Sequence, residues 1–380
     1  MKELAPKYNE NTIKEIEVCD VTLRDGEQTP GVSFTEEEKI DIAHRIDEVG
    51  IDIIEAGFPI VSSEEASIVR KIANLGLNAR TCALARANFK DIDCVASCDI
   101  DIVAVVYGTS DLHLKIKYNQ TREEALLTAI NALDYAKDYG LTVRFAAEDA
   151  TRSDLRFLKE YFVTGEKHGA DMISIADTVG VLNPSTTHKL IKEIKEVSSI
   201  PICIHCHDDL GLALANTLAG VEAGVKQIQT TVNGIGERAG NTPLEEALLA
   251  LYLHYGIDNY DLSRVTGLSK IVSEYSRIDV AKNKAIVGDH AFTHESGIHV
   301  AAVLDDPNTY EPFLPELVGG ERKFVLGKHT GRRSLQHIIE CEGYDLSNEE
   351  VATILEKIKK SNISKRPITR KELDELIKET

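Results

Sequence analysis

The strongest constraint on the fold is a pattern that repeats eight times in the first two-thirds of the 380-residue chain, a short apolar run followed by a longer amphipathic segment. The runs are rich in β-branched residues and almost continuously hydrophobic, which is typical of parallel strands covered on both faces. They lie at residues 16–23, 51–56, 79–84, 100–107, 141–147, 171–176, 201–206 and 227–232. The repetition predicts eight strands, each followed by a helix.

The segments between the runs carry helical periodicity and helix-start signals. The clearest of them lie at residues 35–49, 121–139, 153–168, 184–197 and 210–223. Ser33 or Thr35, the Ser153-Asp154 pair and the Asn183-Pro184 pair stand where N-caps and first-turn prolines are favoured. Eight β/α units within about 240 residues are typical of an α/β protein with a (β/α)8 TIM barrel. An open, doubly wound sheet is the alternative.

The last quarter of the chain loses this period after about residue 286. Three prolines and a Gly-Gly pair interrupt it between residues 307 and 320, and two short helical patterns follow at 347–360 and 369–379. Because such a segment buries little surface alone, we expect it to pack on a barrel, either its own or that of a second copy. The predicted domains are a barrel at 1–285 and a helical and irregular appendage at 286–380.

Charge and hydropathy exclude several classes of partner. With 43 Lys and Arg against 62 Asp and Glu, the net charge is −19, and no basic run offsets it. We therefore expect neither nucleic acids nor anionic membranes as partners. No apolar stretch reaches the roughly 18 residues that cross a bilayer, and residues 1–17 lack the apolar core of a secretory signal. Seven cysteines without a regular spacing fit a reducing compartment, so a soluble, cytoplasmic protein is predicted.

In a barrel, reactive side chains follow the carboxyl ends of the strands. Here the residues at or just beyond the carboxyl ends of six of the eight runs are charged or polar. They are Arg24 and Asp25, Glu55, Glu148, Asp177 and Thr178, His205 and His207, and residues 233–241. The barrel topology would bring all of them to one rim, which predicts a polar active site there.

His205 and His207 are spaced for a shared cation. Residues two apart on a strand project from the same face, roughly 7 Å apart, whereas Cys206 between them points the other way. Asp25, from across the barrel, would complete a shell of nitrogen and oxygen ligands suited to Mn, Zn, Co or Mg. The alternative is that both histidines are hydrogen-bonded residues of a loop.

Arg24 and Thr178 are candidate substrate-binding residues. A guanidinium beside a metal ligand can bind a carbonyl oxygen on which negative charge develops; the alternative for Arg24 is an ion pair with Glu55 or Glu148. The Thr178 hydroxyl can bind a substrate carboxylate or cap a helix. The glycine-rich loop at 233–241 follows the eighth strand, which excludes a dinucleotide-binding fold but admits a substrate or a phosphate-bearing cofactor.

The appendage contains two further candidates, His299 and Tyr310. Three residues separate Glu295 from His299 where the zinc-protease helix has two, so that activity is excluded. A histidine brought to the barrel mouth can instead act as a general base.

Three separated motifs resemble those of the acyl-CoA-condensing family of 2-isopropylmalate, citramalate and homocitrate synthases. They are D-x-T-L-R-D-G-E-Q at 20–28, H-C-H-D-D-x-G at 205–211 and N-G-I-G-E-R-A-G-N at 233–241. The resemblance covers nearly the whole chain. It implies a TIM barrel with a divalent metal, in which acetyl-CoA is enolised and attacks C2 of a 2-oxo acid before the thioester is hydrolysed.

The resemblance also implies roles for individual residues. The metal would be held by Asp25, His205, His207 and Asn241. Arg24 would stabilise the developing oxyanion, Glu148 would lie at the reacting methyl group, and Thr178 would hold the C1 carboxylate. His299 and Tyr310 match residues that the family contributes to the active site of the partner subunit, which implies a homodimer.

The fifth run favours a long 2-oxo acid. Arg144 shares a strand face with Glu148 and resembles the arginine that homocitrate synthases use for the distal carboxylate of 2-oxoglutarate. Ala146 between them is small and leaves room for the substrate. We therefore predict 2-oxoglutarate as the substrate and homocitrate as the product. The alternatives are pyruvate, as in citramalate synthases, and an isopropylmalate synthase without a C-terminal regulatory domain. A metal-dependent acyl-CoA lyase is a less favoured alternative, because lyases with this barrel generally stop near its end and lack an appendage like the one that carries His299.

Overall fold

The computed structural model describes Ile13, residues 15–361 and residues 366–380. The chain divides into two compact units, of which the second begins at Val280. The partition into domains at 1–285 and 286–380 stays a prediction. Residues 1–12 and 14, which belong to the segment predicted to carry no secretory signal, lie outside the described residues.

Eight parallel strands close into a barrel in the first unit. In chain order they are β1 (Glu17–Asp20), β2 (Ile53–Glu55), β3 (Arg80–Arg86), β4 (Ile102–Gly108), β5 (Thr142–Glu148), β6 (Met172–Asp177), β7 (Ile202–Cys206) and β8 (Gln227–Thr230). Each strand pairs with the next, and β1 closes the ring on β8 with Cys19 opposite Gln229. The predicted (β/α)8 barrel is confirmed, and the doubly wound alternative is wrong.

Helices alternate with the strands. They are α1 (Glu36–Val49), α2 (Ser63–Ala73), α3 (Phe89–Ala96), α4 (Asp111–His113), α5 (Arg122–Asp138), α6 (Leu155–Lys167), α7 (Pro184–Lys195), α8 (Ala213–Ala223), α9 (Leu244–Ala250) and α10 (Val265–Ser276). The side chains of Thr35, Asp154 and Asn183 accept backbone N–H groups at the starts of α1, α6 and α7. Each cap satisfies donors that a helix leaves free at its first turn.

The strands are buried on both of their faces. Inside the barrel, Cys19, Ile53 and Cys82 belong to one packed cluster. On the outside, Phe145 of β5 stacks on Tyr161 of α6 with their ring centroids 4.3 Å apart. This two-sided burial is the reason that the runs are continuously apolar instead of alternating.

The second unit is more helical than the sequence indicated. It contains β9 (Thr293–His294), α11 (Gly297–Asp305), β10 (Lys323–Phe324), α12 (Arg332–Cys341), α13 (Asn348–Ser361) and α14 (Arg370–Lys378). The sequence predicted α13 and α14 but missed α11 and α12. Between Asp306 and Gly331, where the prolines and the Gly-Gly pair lie, the stretch is irregular as expected, apart from two 3-10 turns and β10. Helix α11 has apolar residues on most of its faces and begins at a glycine, so it lacks the amphipathic period by which a helix is recognised. Among the described helices, none combines the length and apolarity that crossing a bilayer requires.

Asp20, at the end of β1, is a fully buried carboxyl group. Its Oδ1 accepts the Thr22 N–H at 2.8 Å, while its Oδ2 has no hydrogen-bond partner among the described residues. Burial raises the pKa of Asp20 to about 7, and the charges of Glu245 and Glu55 act in the same direction. The folded protein therefore holds a proton here at pH values where the unfolded chain has released it.

Asp20→Asn should remove a pH-dependent loss of stability. Between pH 4 and 7 unfolding of the wild type releases the Asp20 proton, so the contribution of Asp20 to the free energy of unfolding falls as pH rises and levels off above pH 7. Each unit of pKa shift corresponds to about 1.4 kcal/mol, so the variant should gain several kcal/mol on the wild type across this range. Denaturant titrations at a series of pH values measure this, with exposed Asp138→Asn as the control. If the difference in the free energy of unfolding between the wild type and Asp20→Asn did not vary with pH, the raised pKa of Asp20 would be contradicted.

Candidate active site

A cavity of about 650 Å³ opens at the carboxyl ends of the barrel strands. Eight of the eleven residues to which the sequence assigned a role line it: Arg24, Asp25, Arg144, Ala146, Glu148, Thr178, His205 and His207. Its charged lining consists of five cations (Arg24, Arg86, Lys117, Arg144 and Arg238) and four carboxylates (Asp25, Glu55, Glu148 and Glu237). The cavity therefore has a formal excess of one positive charge in a chain whose net charge is −19.

Asp25, His205 and His207 form a compact, buried group of candidate metal ligands. The two Nε2 atoms of the histidines are 3.1 Å apart, and Asp25 Oδ2 lies 3.9 Å from the first and 4.0 Å from the second. Two nitrogens bound at right angles to one ion, each at about 2.1 Å, would be about 3 Å apart. The spacing is therefore that of two ligands on a common cation.

The protonation states of this group also suit a metal. His207 Nδ1 lies 3.1 Å from the Gly240 carbonyl oxygen, which fixes the tautomer in which Nδ1 donates and Nε2 keeps its lone pair. Burial and the neighbouring His207 lower the pKa of His205 to about 3, and burial lowers that of His207. Burial alone would raise the pKa of Asp25, but Arg24 and the histidines outweigh it and hold that pKa below its usual range. Two neutral imidazoles and a carboxylate result.

Asn241 completes the group from the glycine-rich loop. Its Nδ2 donates to Asp25 Oδ1 at 2.8 Å and to the Ile235 carbonyl at 3.1 Å, while its buried Oδ1 has no hydrogen-bond partner within the described part of the chain. A Cβ at Gly236 would overlap the Asn241 amide and crowd Asp25, so the loop needs a glycine there. An orphaned amide oxygen beside these ligands fits a divalent cation.

Glu55 links the two arginines of the cavity. Arg24 donates to Glu55 Oε1 at 2.5 Å and to Asp25 Oδ2 at 2.6 Å, so the ion pair offered as the alternative for Arg24 is present. Arg144 pairs with Glu55 Oε2 and donates to Gln227 Oε1 at 3.2 Å. Burial would raise the pKa of Glu55, but the two arginines outweigh it and hold the pKa below its usual range. The Arg144 Nε is buried and has no hydrogen-bond partner among the described residues.

Glu148 faces the cavity from the end of β5 and is paired with a lysine. Lys117 Nζ lies 2.8 and 2.7 Å from the two carboxylate oxygens, and His113 Nδ1 lies 3.7 Å from Oε2. Sequence reasoning missed Lys117, although a lysine in the loop after the fourth strand lies at the rim where reactive residues are expected. Ala146, two residues earlier on the same face of β5, also lines the cavity.

Thr178 occupies the rim beyond β6. Its Oγ1 accepts the Asp149 N–H at 2.8 Å, and its carbonyl accepts Arg238 Nη2 at 2.7 Å. Asp177 beside it does not line the cavity, contrary to expectation, because its carboxylate accepts the N–H groups of Val181 and Leu182, each at 3.1 Å. A carboxylate that follows a strand can thus shape a loop instead of serving a site.

His299 and Tyr310 lie in the second unit. Both are exposed, and their rings stack with centroids 4.0 Å apart and an interplanar angle of 19°. The structure brings these two residues together, and their roles in a partner's active site stay predictions.

The fold and this cavity together define a (β/α)8 barrel protein with a candidate divalent-metal centre. The HMGL-like family matches residues 15–272, and a domain described as homocitrate synthase post-HMGL domain-like matches residues 286–366. The chain belongs to the HMGL-like family, in the branch that contains the homocitrate, citramalate and 2-isopropylmalate synthases.

Individual relatives agree with that assignment. The homocitrate synthase AksA of Methanosarcina acetivorans is 53% identical, over 98% of this chain and 94% of its own length. The (R)-citramalate synthase CimA of Methanocaldococcus jannaschii is 47% identical, over 90% of this chain and 70% of its own. The crystal structure of the HMG-CoA lyase of Bacillus subtilis matches with a TM-score of 0.65 over 72% of this chain and 97% of its own, at 19% identity, and so shows the fold alone.

His207→Ala should abolish stoichiometric metal binding. It removes one of two converging imidazoles, and we expect the affinity for the divalent ion to fall by more than about 100-fold. Elemental analysis of dialysed protein measures the metal content. Cys206→Ala is the matched control, since this neighbouring thiol is buried on the opposite face near Thr217, and it should keep the metal. One equivalent of tightly bound metal in His207→Ala would contradict the ligand assignment.

Proposed function

We propose that the protein is an acetyl-CoA-dependent condensing enzyme that joins acetyl-CoA to 2-oxoglutarate and, with hydrolysis of the thioester, releases homocitrate and CoA. The observation that carries this proposal is the 53% identity, over nearly the whole of both chains, to the homocitrate synthase of M. acetivorans. The cavity supports it, because it combines candidate ligands for a divalent metal with an excess of cations suited to an anionic substrate.

The metal would be held by Asp25, His205, His207 and Asn241, a donor set that suits Mn, Zn, Co or Mg. When bound, the ion supplies Lewis-acid polarisation of the 2-oxo acid. Arg24 lies beside Asp25 and would donate to the keto oxygen as negative charge develops there. The Arg24 side chain is only 12% exposed, and partial burial strengthens such a contact.

The two carboxylates of the substrate would be bound at separate points. Because Thr178 Oγ1 already accepts a backbone N–H, its own proton is available to donate to the C1 carboxylate. The remaining Arg144 Nε–H would bind the distal carboxylate, and Ala146 leaves room for the carbon chain between them. The unused donor on Arg144 is the feature that favours a diacid over pyruvate.

Glu148 would accept the proton from the methyl group of acetyl-CoA. We propose that the chain acts as a homodimer in which His299 and Tyr310 of one subunit serve the active site of the other. The partition at residue 285 and a cytoplasmic location belong to the same proposal, and neither nucleic acid nor membrane is expected as a partner.

Release of free CoA thiol should be fastest with 2-oxoglutarate. A thiol-capture assay with acetyl-CoA and 2-oxoglutarate, pyruvate or 2-oxoisovalerate ranks the substrates by kcat/KM. Highest activity with pyruvate would replace the proposed substrate by that of a citramalate synthase, an activity that the 47% identity to CimA makes the second candidate. If none of the three 2-oxo acids led to thiol release, the condensing activity itself would be overturned.

Arg144→Met extends the same assay to the distal carboxylate. The variant should raise KM for 2-oxoglutarate by about 100-fold, as expected for a lost charged contact of 2–3 kcal/mol, and should change KM for pyruvate much less. Arg86→Met is the control, because Arg86 also lines the cavity but pairs with Asp91. Equal losses for both substrates in Arg144→Met would remove this residue from substrate recognition.

Mixing two inactive variants should restore activity if active sites are shared between subunits. In Arg24→Ala the barrel residue of the site is missing, and in His299→Ala the residue that the partner would contribute is missing. In a mixed dimer, one site combines the intact barrel of one subunit with the intact appendage of the other. Co-refolded mixtures should recover up to about a quarter of wild-type thiol release, because random pairing gives half mixed dimers with one intact site of two. A fully active monomer by sedimentation, or mixtures without any recovery, would contradict the shared site.

A further inference from the structure

Lys117 occupies the rim of the cavity directly beside the proposed base. Its ammonium is 2.8 and 2.7 Å from the two carboxylate oxygens of Glu148, and both side chains line the cavity. The other four cations of the lining are directed to carboxylates that take no part in proton removal. Arg24 and Arg144 pair with Glu55, Arg86 pairs with Asp91, and Arg238 pairs with Asp209.

The turn that carries Lys117 is held in place by specific contacts. It is the π-helical segment Leu114–Tyr118, which ends at Asn119 in a left-handed conformation. Tyr118 stacks on Tyr107 of β4 with centroids 4.3 Å apart, and its hydroxyl accepts the Gly108 N–H at 3.3 Å. The ammonium of Lys117 also lies 5.5 Å from the centre of the Tyr118 ring. Single-turn π-helices concentrate at functional sites, and this one aims a lysine at the base.

Removing a proton from acetyl-CoA requires more than a base. As the methyl C–H bond breaks, its electron pair moves into the thioester and negative charge builds up on the carbonyl oxygen. A donor placed at that oxygen lowers the barrier, because preorganised charge stabilises the transition state more than the ground state. The carbonyl oxygen is two bonds from the methyl carbon, so its donor must stand next to the base.

We propose that Lys117 is a catalytic residue that donates a hydrogen bond to the thioester oxygen of acetyl-CoA during enolisation. Glu148 takes the methyl proton and becomes neutral, and the electron pair of the broken C–H bond is delocalised onto the thioester oxygen beside the Lys117 ammonium. The negative partner of the lysine thus changes from carboxylate to enolate without any change of net charge. This inference rests on the proposed function and adds a residue to it.

The charge state of Lys117 fits that role. Burial lowers its pKa, but hydrogen bonding and charge attraction to Glu148 outweigh burial and leave the pKa raised. The lysine is therefore a cation throughout the neutral range. This charge state suits a group that donates a hydrogen bond to the thioester oxygen without transferring its proton.

The test compares Lys117→Met, Lys117→Arg and Lys115→Met in the complete enzyme with acetyl-CoA whose methyl group carries either hydrogen or deuterium. Lys115 is the matched control, since it is an exposed lysine two residues earlier in the same turn and does not line the cavity. Lys117→Met should lower kcat about 100-fold, the typical effect of losing one oxyanion donor, with little change in KM for the 2-oxo acid. Its deuterium isotope effect on kcat/KM for acetyl-CoA should rise, because proton transfer becomes slower than the later steps.

Lys117→Arg should recover part of kcat, and Lys115→Met should match the wild type in rate and isotope effect. A wild-type isotope effect in Lys117→Met would overturn the catalytic role. This holds if kcat is normal and also if kcat is reduced only through a shifted pH profile, and it would leave Lys117 at most a positioning role toward Glu148. Absence of thiol release in the wild type would instead overturn the proposed function, so the two failures are distinguishable.

Discussion

Closure of the barrel by the pairing of β1 with β8 is the constraint on which the site depends. Asp25 follows β1 and His205 ends β7, so the two residues are far apart in sequence, yet Asp25 Oδ2 lies 3.9 Å from the histidine ring nitrogen. In an open sheet with the same strand order, β1 and β8 would be the two opposite edge strands, and the carboxylate and the imidazoles would stand apart. The loop after β8 then inserts Asn241 against Asp25, which is possible because a glycine at 236 leaves space for the amide.

Electrostatic balance is the second condition. The chain is strongly acidic, but the cavity gathers five cations against four carboxylates. Glu55 keeps Arg24 and Arg144 together in a buried place where two guanidinium groups would otherwise repel each other. An anionic substrate thus meets a local field opposite to that of the whole protein, and a bound divalent ion would strengthen it.

Much of this arrangement could be predicted from the sequence, because the relevant signals are local. Eight apolar runs determine the barrel, and the two-residue spacing of His205 and His207 determines that their rings share a face. The structure places Asp25, predicted from its position after the first strand, beside both rings. The ion pair of Arg24 with Glu55 was one of the sequence alternatives. By contrast, the link from Glu55 to Arg144 depends on side chains from two strands that are not neighbours, β2 and β5. Helix α11 was missed because it lacks an amphipathic period, and Lys117 was missed because its direction depends on a π-helical turn that leaves no clear mark in the sequence.

Anomalous diffraction from crystals grown with Mn²⁺ and 2-oxoglutarate would locate the metal and the 2-oxo acid in one experiment. We expect one strong manganese peak within ligand distance of Asp25 and of the Nε2 atoms of His205 and His207, with density for the 2-oxo acid between that peak and Arg24. A manganese peak elsewhere would contradict the assignment of the metal ligands. So would the absence of manganese at Asp25, His205 and His207 at a saturating metal concentration, with the 2-oxo acid bound outside the cavity.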